Sequence, residues 1–446
     1  RCRSGFEVRT YRRCRRMLMF HHFEELGGGP YLVRSLEFGY ADFDAAGDVS
    51  AEAELLHPGS TRLASFLCSV TEAGYLRTDS ADAGSSGVQM YVRQRMPPIE
   101  FEYGKLAFGS GIRESAAEGP ERMPPGSPDA ASFWVDLNRD GVPDILTERL
   151  GCWYWVPNLG GGRFGSERPA EVRPSAAHLS GGRQQLADLE GGSRLHLLIL
   201  NEHAPGTYEC TDEKWGEFSP FAHRPNLRWD DPSLRFIDLD GDGRADVLIT
   251  EDDRIVWHPS LGRDGFGPAK SLPAPADDEK GPRLVRAEGE LSIYLADMCG
   301  DGLTDIVRIR NGEICYWPNL GYGRFGKKIT MDGAPRFDAD DQFHPARIRL
   351  VDLDGTGLTD IVYMGRDGVR LYFNQSGNRW SAPVRLGEFP LPERLDAVAA
   401  VDLLGTGTAC LVWPASPPGE TSPVIRYVEL TGGRKPHLLV RSINNI

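Results

Sequence analysis

Hydrophobic and polar positions along the chain fall into one phrase that returns six times. Its clearest copy is FIDLDGDGRADVLI (236–249), in which an apolar pair leads into an aspartate, an Asp/Gly loop, a closing aspartate and a second apolar run. Further copies begin at Asp136, Asp188, Asp297, Asp352 and Asp402. The second loop position is always apolar: Leu137, Leu189, Leu239, Met298, Leu353 and Leu403. The two residues after the ninth position are apolar as well, as in Ile145-Leu146, Val247-Leu248 and Ile306-Val307. Loop glycines permit positive φ and a sharp reversal, and the apolar run that follows predicts a buried strand.

A second signature follows in three copies: WVPNLGGGRFG (155–165), WHPSLGRDGFG (257–267) and WPNLGYGRFG (317–326), with a variant FNQSGNRW (373–380). An aromatic strand, a Pro/Asn/Gly turn and an aromatic re-entry predict a hairpin. The copies lie 50 to 59 residues apart, a period that suits one four-stranded unit each. The expectation is an all-β chain forming a six-bladed β-propeller with an N-terminal antiparallel β-strand segment. A linear β-solenoid is the rival, with repeats that are usually shorter.

The organisation expected is a strand segment over 1–109, a Glu/Gly/Pro/Ser-rich linker over 110–130, the propeller over 131–430 and an exit strand over 431–446. Alternating side-chain character marks strands near Phe6–Tyr11, Tyr31–Tyr40, Ser65–Val70 and Ile99–Tyr103.

Charge narrows the partners. A formal net charge of −14 argues against nucleic acid or an anionic membrane, although Arg9, Arg12, Arg13, Arg15 and Arg16 cluster locally, as a solvated strand face does. No apolar run of about 18 residues predicts membrane insertion. The eight cysteines lack CxxC spacing, so free thiols are expected. The adjacent His21 and His22 would point to opposite faces of a strand, which disfavours a metal pair.

Candidate chemistry lies in the loops. Read as D-x-[DN]-x-D-G-x-x-D, the third copy offers Asp238, Asp240, Asp242 and Asp246, and the first offers Asp136, Asn138, Asp140 and Asp144. Alternating oxygen-bearing side chains in a turn suit Ca²⁺, with no EF-hand glutamate at the twelfth position. The other reading is metal-free: the aspartates form Asx-turns and cap backbone N–H groups. Copy four has Cys299 at the third position, and copies two and six lose most carboxylates. Any metal would be structural, no cofactor is required, and no patterned catalytic constellation points to an enzyme.

Longer strings carry a family resemblance. GFEVRTY (5–11), LMFHHF (18–23), ADVLITEDD (245–253), YLADM (294–298), YWPNLGYGRFG (316–326), GRDGVRLYFNQSG (365–377) and DLLGTGTACLVW (402–413) resemble the B component (TcB, SpvB/TcdB-like) of ABC-type insecticidal toxin complexes, in its FG-GAP/VCBS-type propeller region. That resemblance implies a non-enzymatic scaffold and gate in a secreted complex made in the bacterial cytoplasm. Its partners would be an Rhs-type C component, a pentameric A-component channel and an unfolded toxin cargo. Relative to that family, the N-terminal SpvB-like region and the downstream shell are expected to be missing. A Ca²⁺-binding adhesin-like propeller recognising a surface ligand is the alternative.

Overall fold

The computed structural model describes residues 2–3, 6–7, 13–26, 29–41, 66–78, 90–109, 111–117, 132–149, 151–170, 184–192, 194–201, 204–211, 214–229, 231, 233–251, 254–273, 277–282, 293–386, 395–415, 424–432 and 435–445. These form two compact units, one of Arg1–Val8 with Phe108–Arg434 and one of Arg9–Ala107 with Lys435–Ile446. Regular structure among the described residues is strand with short 3₁₀ turns, and the sheets are antiparallel apart from one two-residue parallel pair, so the all-β expectation holds.

The larger unit carries six successive sheets, one per repeat. The first comprises Ser132–Val135, Asp144–Arg149, Cys152–Val156 and Arg168–Pro169. The second comprises Gln184–Asp188, Leu195–Ile199 and Gly206–Thr211, whose last strand pairs with both Lys214–Trp215 and Ser219–Pro220. The third runs Leu234–Ile237, Asp246–Thr250, Arg254–His258, Lys270–Pro273. The fourth runs Ile293–Ala296, Asp305–Arg310, Glu313–Trp317, Ile329–Thr330. The fifth runs Ile348–Val351, Asp360–Gly365, Gly368–Tyr372, Val384–Arg385.

The sixth sheet is assembled differently. Ala399–Val401, Cys410–Ala415 and Val424–Glu429 receive their fourth strand from Ile112–Glu114, upstream of the first sheet. Ala116–Ala117 then pairs in parallel with Arg163–Phe164 of the first repeat. This corrects the linker expected over 110–130: the Gly/Ser/Pro-rich composition hides a short strand whose partner lies more than 300 residues away, beyond the reach of local patterning. Residues 118–130 of that span lie outside the described residues.

Each second strand is a nearly continuous apolar run because it is covered on both faces. Leu146, Trp153 and Trp155 of the first sheet share a core with Leu197, Ile199 and Tyr208 of the second. Leu189 and Leu198 meet Val247 and Phe266. Leu239 and Trp257 meet Leu295 and Phe325, and Met298 and Tyr316 meet Ile361 and Tyr363. Leu403, Val412 and Tyr427 of the sixth sheet pack with Ile145, Val156 and Phe164 of the first.

In the smaller unit, Arg16–His21, Tyr31–Ala41, Phe66–Arg77, Ile99–Tyr103 and Leu439–Asn444 form one antiparallel sheet in that order, with Tyr91–Arg95 also pairing with Phe66–Arg77. The strand expected to leave the molecule over 431–446 therefore returns: Ser442 lies opposite Phe101, and Asn444 opposite Ile99. Of the strand read at Phe6–Tyr11, only Phe6–Glu7 is described as strand, and Arg9 and Arg12 of the basic cluster lie outside the described residues. Among the described residues, no helix is long and apolar enough to cross a membrane. The seven described cysteine side chains are free thiols.

Candidate functional site

The aspartate loops join the first and second strand of each sheet, and the sequence dictates their hydrogen bonding in detail. The opening aspartate caps the turn. Asp238 accepts from Gly241 N at 2.7 Å and from Gly243 N at 2.9 Å. Asp136 accepts from Asp140 N and Gly141 N, and Asp352 from Thr356 N and Gly357 N, in the same way. Gly241 and Gly243 both sit at positive φ, which only glycine adopts without strain here.

The closing aspartate does something the sequence reading missed. Its two oxygens clamp two distant stretches of the same sheet. Asp246 accepts from Leu239 N at 3.0 Å and from Ser260 N, at the hairpin after the third strand, at 2.7 Å. The same pair of bonds links Asp144 to Leu137 and Asn158, Asp305 to Met298 and Asn319, and Asp360 to Leu353 and Asn374. Where the hairpin residue is asparagine, its side chain also reaches the preceding sheet. Asn158 Nδ2 donates to Leu403 O at 3.0 Å, Asn319 Nδ2 to Asp238 O at 2.9 Å, and Asn374 Nδ2 to Met298 O at 2.9 Å. The clue was in the sequence, because each of these asparagines follows its aspartate by 14 residues.

The second and sixth loops confirm the pairing by losing both members. His196 and Cys410 stand where the others have the closing aspartate, and Cys210 and Leu430 where they have the hairpin Asn or Ser. His196 is fully buried, with Nδ1 3.0 Å from Arg194 O. In the sixth loop Leu403 N turns instead to Val401 O at 2.9 Å.

Electrostatics follow burial. Burial pushes the Asp305 carboxyl up to about 8, against the pull of the Asn319 and Met298 N–H donors. Asp144 and Asp246 are raised to about 6 for the same reason. Asp360 is also raised, by burial and then by the neighbouring Asp354. Each carboxyl is desolvated and hydrogen-bonded at once, opposing effects of which burial is the larger.

The eight proposed ligands separate into two groups. In the third loop, oxygens of Asp238, Asp240 and Asp246 lie within 4.8 Å of one another. Asp240 Oδ1 is buried and has no hydrogen-bond partner. That spacing and an orphan acceptor fit a hard cation bound at about 2.3–2.6 Å from each oxygen. Asp242 points away into the turn, accepting from Arg244 N at 2.8 Å. In the first loop, as in the third, the opening and closing aspartates have both oxygens on backbone N–H groups, so the two loops differ at the middle carboxylates. Asp140 accepts from Val142 N and from Asn138 Nδ2, which suits the turn-capping role. Two loops that the sequence reading set aside do gather ligand-type atoms: Asp297, Cys299 and Asp305, and Asp352, Asp354 and Asp360. In the fifth loop Asp354 keeps the third position, while Thr356 stands where the third loop has Asp242.

Fold and loops together define a class: an all-β repeat protein whose sheets are pinned by Asp/Gly loops. Comparison with known proteins narrows this. Residues 1–23 match the family model described as Salmonella virulence plasmid 65kDa B protein, SpvB. A solved structure of the Tc holotoxin pore of Photorhabdus luminescens matches 99% of this chain with 26% identity and a TM-score of 0.75. A crystal structure of TcdB2-TccC3 matches 100% of the chain with 25% identity and a TM-score of 0.56. The chain spans 19% and 20% of those two relatives. No curated protein matches it by sequence. The resemblance to a TcB/SpvB-like toxin-complex component is thus borne out, and the SpvB match over residues 1–23 covers the strings at 5–11 and 18–23 that carried it.

Proposed function

We propose that residues 131–430, completed by Ile112–Glu114, form a closed six-bladed propeller that serves as a non-enzymatic scaffold and gate of a secreted toxin complex. The observation that carries this reading is the likeness along 99% of the chain to a segment of the Tc holotoxin pore. Ring closure is supported by the core that the sixth sheet shares with the first and by the Asn158–Leu403 bond across the same seam. A radial array leaves an axial passage and only short, protected strand edges. The propeller would dock a cocoon of this component and an Rhs-type C component on a pentameric A-component channel, through which an unfolded toxin passes. The test is cryo-EM of the full B/C assembly mixed with an A-component pentamer. Density for the six sheets seated over the channel mouth is expected; an assembly that does not bind, or that binds through another region, refutes the reading.

A structural Ca²⁺ in the third loop belongs to the same proposal, favoured by the unpartnered Asp240 Oδ1. It would stiffen that turn through Asp238, Asp240 and Asp246. An adhesin-like propeller recognising a surface ligand would use the same ion, and is preferred only if the assembly test fails while calcium binding persists.

A further inference from the structure

Five sheets take their fourth strand from the chain that immediately follows the third, whereas the sixth takes Ile112–Glu114, so its outermost pairing joins residues 312 to 316 positions apart. Three residues make this strand, and all three are exposed. Backbone pairing places Arg113 opposite Tyr427 and Glu114 opposite Arg426, and Ser115 N adds a bond to Ile425 O at 2.9 Å. Two ion pairs of opposite sense then fasten it. Arg113 lies 2.8 Å from Glu429, and Arg426 donates through Nε and a terminal nitrogen to Glu114 Oε1 at 2.9 and 2.8 Å. Immediately upstream, a Cβ on Gly109 would lie 2.1 Å from Glu429 O, so the strand enters flush against its partner.

We infer that Ile112–Ala117 is a releasable strap, locked electrostatically by Arg113–Glu429 and Glu114–Arg426, and that it detaches from the sixth sheet before any sheet unfolds. The inference rests on the closed-ring reading above. Two features single out this strand. Ile112–Glu114 are exposed, so this strand anchors no apolar core. On the strap side the locking charges are solvated, the Arg113 and Glu114 side chains being 59% and 50% exposed against 11% and 32% for Glu429 and Arg426, so salt weakens them. A single segment also touches both ends of the array, since Ala116–Ala117 pairs with the first repeat. Releasing it would bare the outer edge of Val424–Glu429 while leaving the core shared with the first sheet and the internal clamps of the other sheets intact.

The experiment is hydrogen–deuterium exchange on the full chain at low and high salt. Wild type is compared with Glu114→Arg, with Arg426→Glu, and with the double charge swap. Expected are a several-fold faster exchange at Val424–Glu429 in high salt and in each single variant, recovery in the double swap, and unchanged exchange at Asp305–Arg310. Equal exchange across all variants overturns the strap. So does a loss that spreads to the fourth sheet, because the strap would then not detach separately. Negative-stain images of the same wild-type sample test the underlying reading independently: an open arc at low salt refutes the closed ring, whereas a closed ring with unresponsive exchange refutes only the strap.

Discussion

Asp305 and Asn319 form the two halves of one clamp. The Asn319 amide donates to Asp305 Oδ1 at 2.8 Å, while the Asn319 side chain passes on to Asp238 O in the preceding sheet. One buried carboxylate thereby fixes its own loop, its own hairpin and, through the asparagine, the neighbouring sheet.

Removing that carboxylate should be costly. Asp305→Ala leaves the Met298 and Asn319 N–H groups buried without acceptors, at about 1–3 kcal/mol each. A loss of about 3 kcal/mol or more is expected in urea unfolding of the larger unit. Asp140→Ala, on an exposed turn, should cost about 1 kcal/mol or less.

Stability should fall as pH rises from mildly acidic to mildly alkaline. The folded Asp305 carboxyl titrates at about 8, against an ordinary value of 3.8, so between these values the native state holds a proton that the unfolded chain has lost. Its contribution is full below about pH 4 and is lost as pH climbs through 8; Asp144 and Asp246, at about 6, add to the lower part of that window. Urea midpoints measured at pH 5 and pH 8.5 should differ in this sense. The difference should shrink in Asp305→Asn, which cannot ionise. A midpoint that rises over this range would contradict the burial argument.

Glycines at the hairpin tips should separate two effects. Gly323 has φ +72°, and a Cβ there would lie 2.7 Å from Trp257 Nε1 of the preceding sheet. Gly302 has φ +88° with open space around it. Gly302→Ala should cost about 1–2 kcal/mol from backbone strain alone. Gly323→Ala should cost more, by about 1–3 kcal/mol of overpacking. Thermal melts of the two variants measure the gap directly.

Calcium titration addresses the third loop. If its dissociation constant lies near about 0.1 mM, 1 mM Ca²⁺ should stabilise the chain by about 1.4 kcal/mol. Asp240→Asn should abolish that gain, while Asp140→Asn in the first loop should leave it unchanged. Isothermal calorimetry gives the same answer without unfolding; a signal that survives Asp240→Asn removes the third-loop site.

The repeats were legible because each demands the same local solution, an apolar pair, a glycine-bearing reversal and a doubly covered strand, and these leave a phase in the sequence. Less legible was anything set by partners far along the chain. Asp246 looks like a metal ligand when read in its loop; only the pairing that brings Ser260 beside it reveals the clamp. Ile112–Glu114 looks like linker for the same reason, since Arg426–Val428 is what makes it a strand. Composition also hid the return of Leu439–Asn444 to Ile99–Tyr103, which depends on an edge left open early in the chain.

The asparagine ties all point one way: the fourth repeat grips the third, the fifth grips the fourth, and the first grips the sixth. On a ribosome, the fourth and fifth repeats emerge to find their acceptor carbonyls already made, so each can dock as it is synthesised. Asn158 alone must wait for Leu403, some 245 residues later. Nascent chains stopped before that point would carry an unfilled donor and a bare first sheet, which makes this junction the place where chaperones would be needed most.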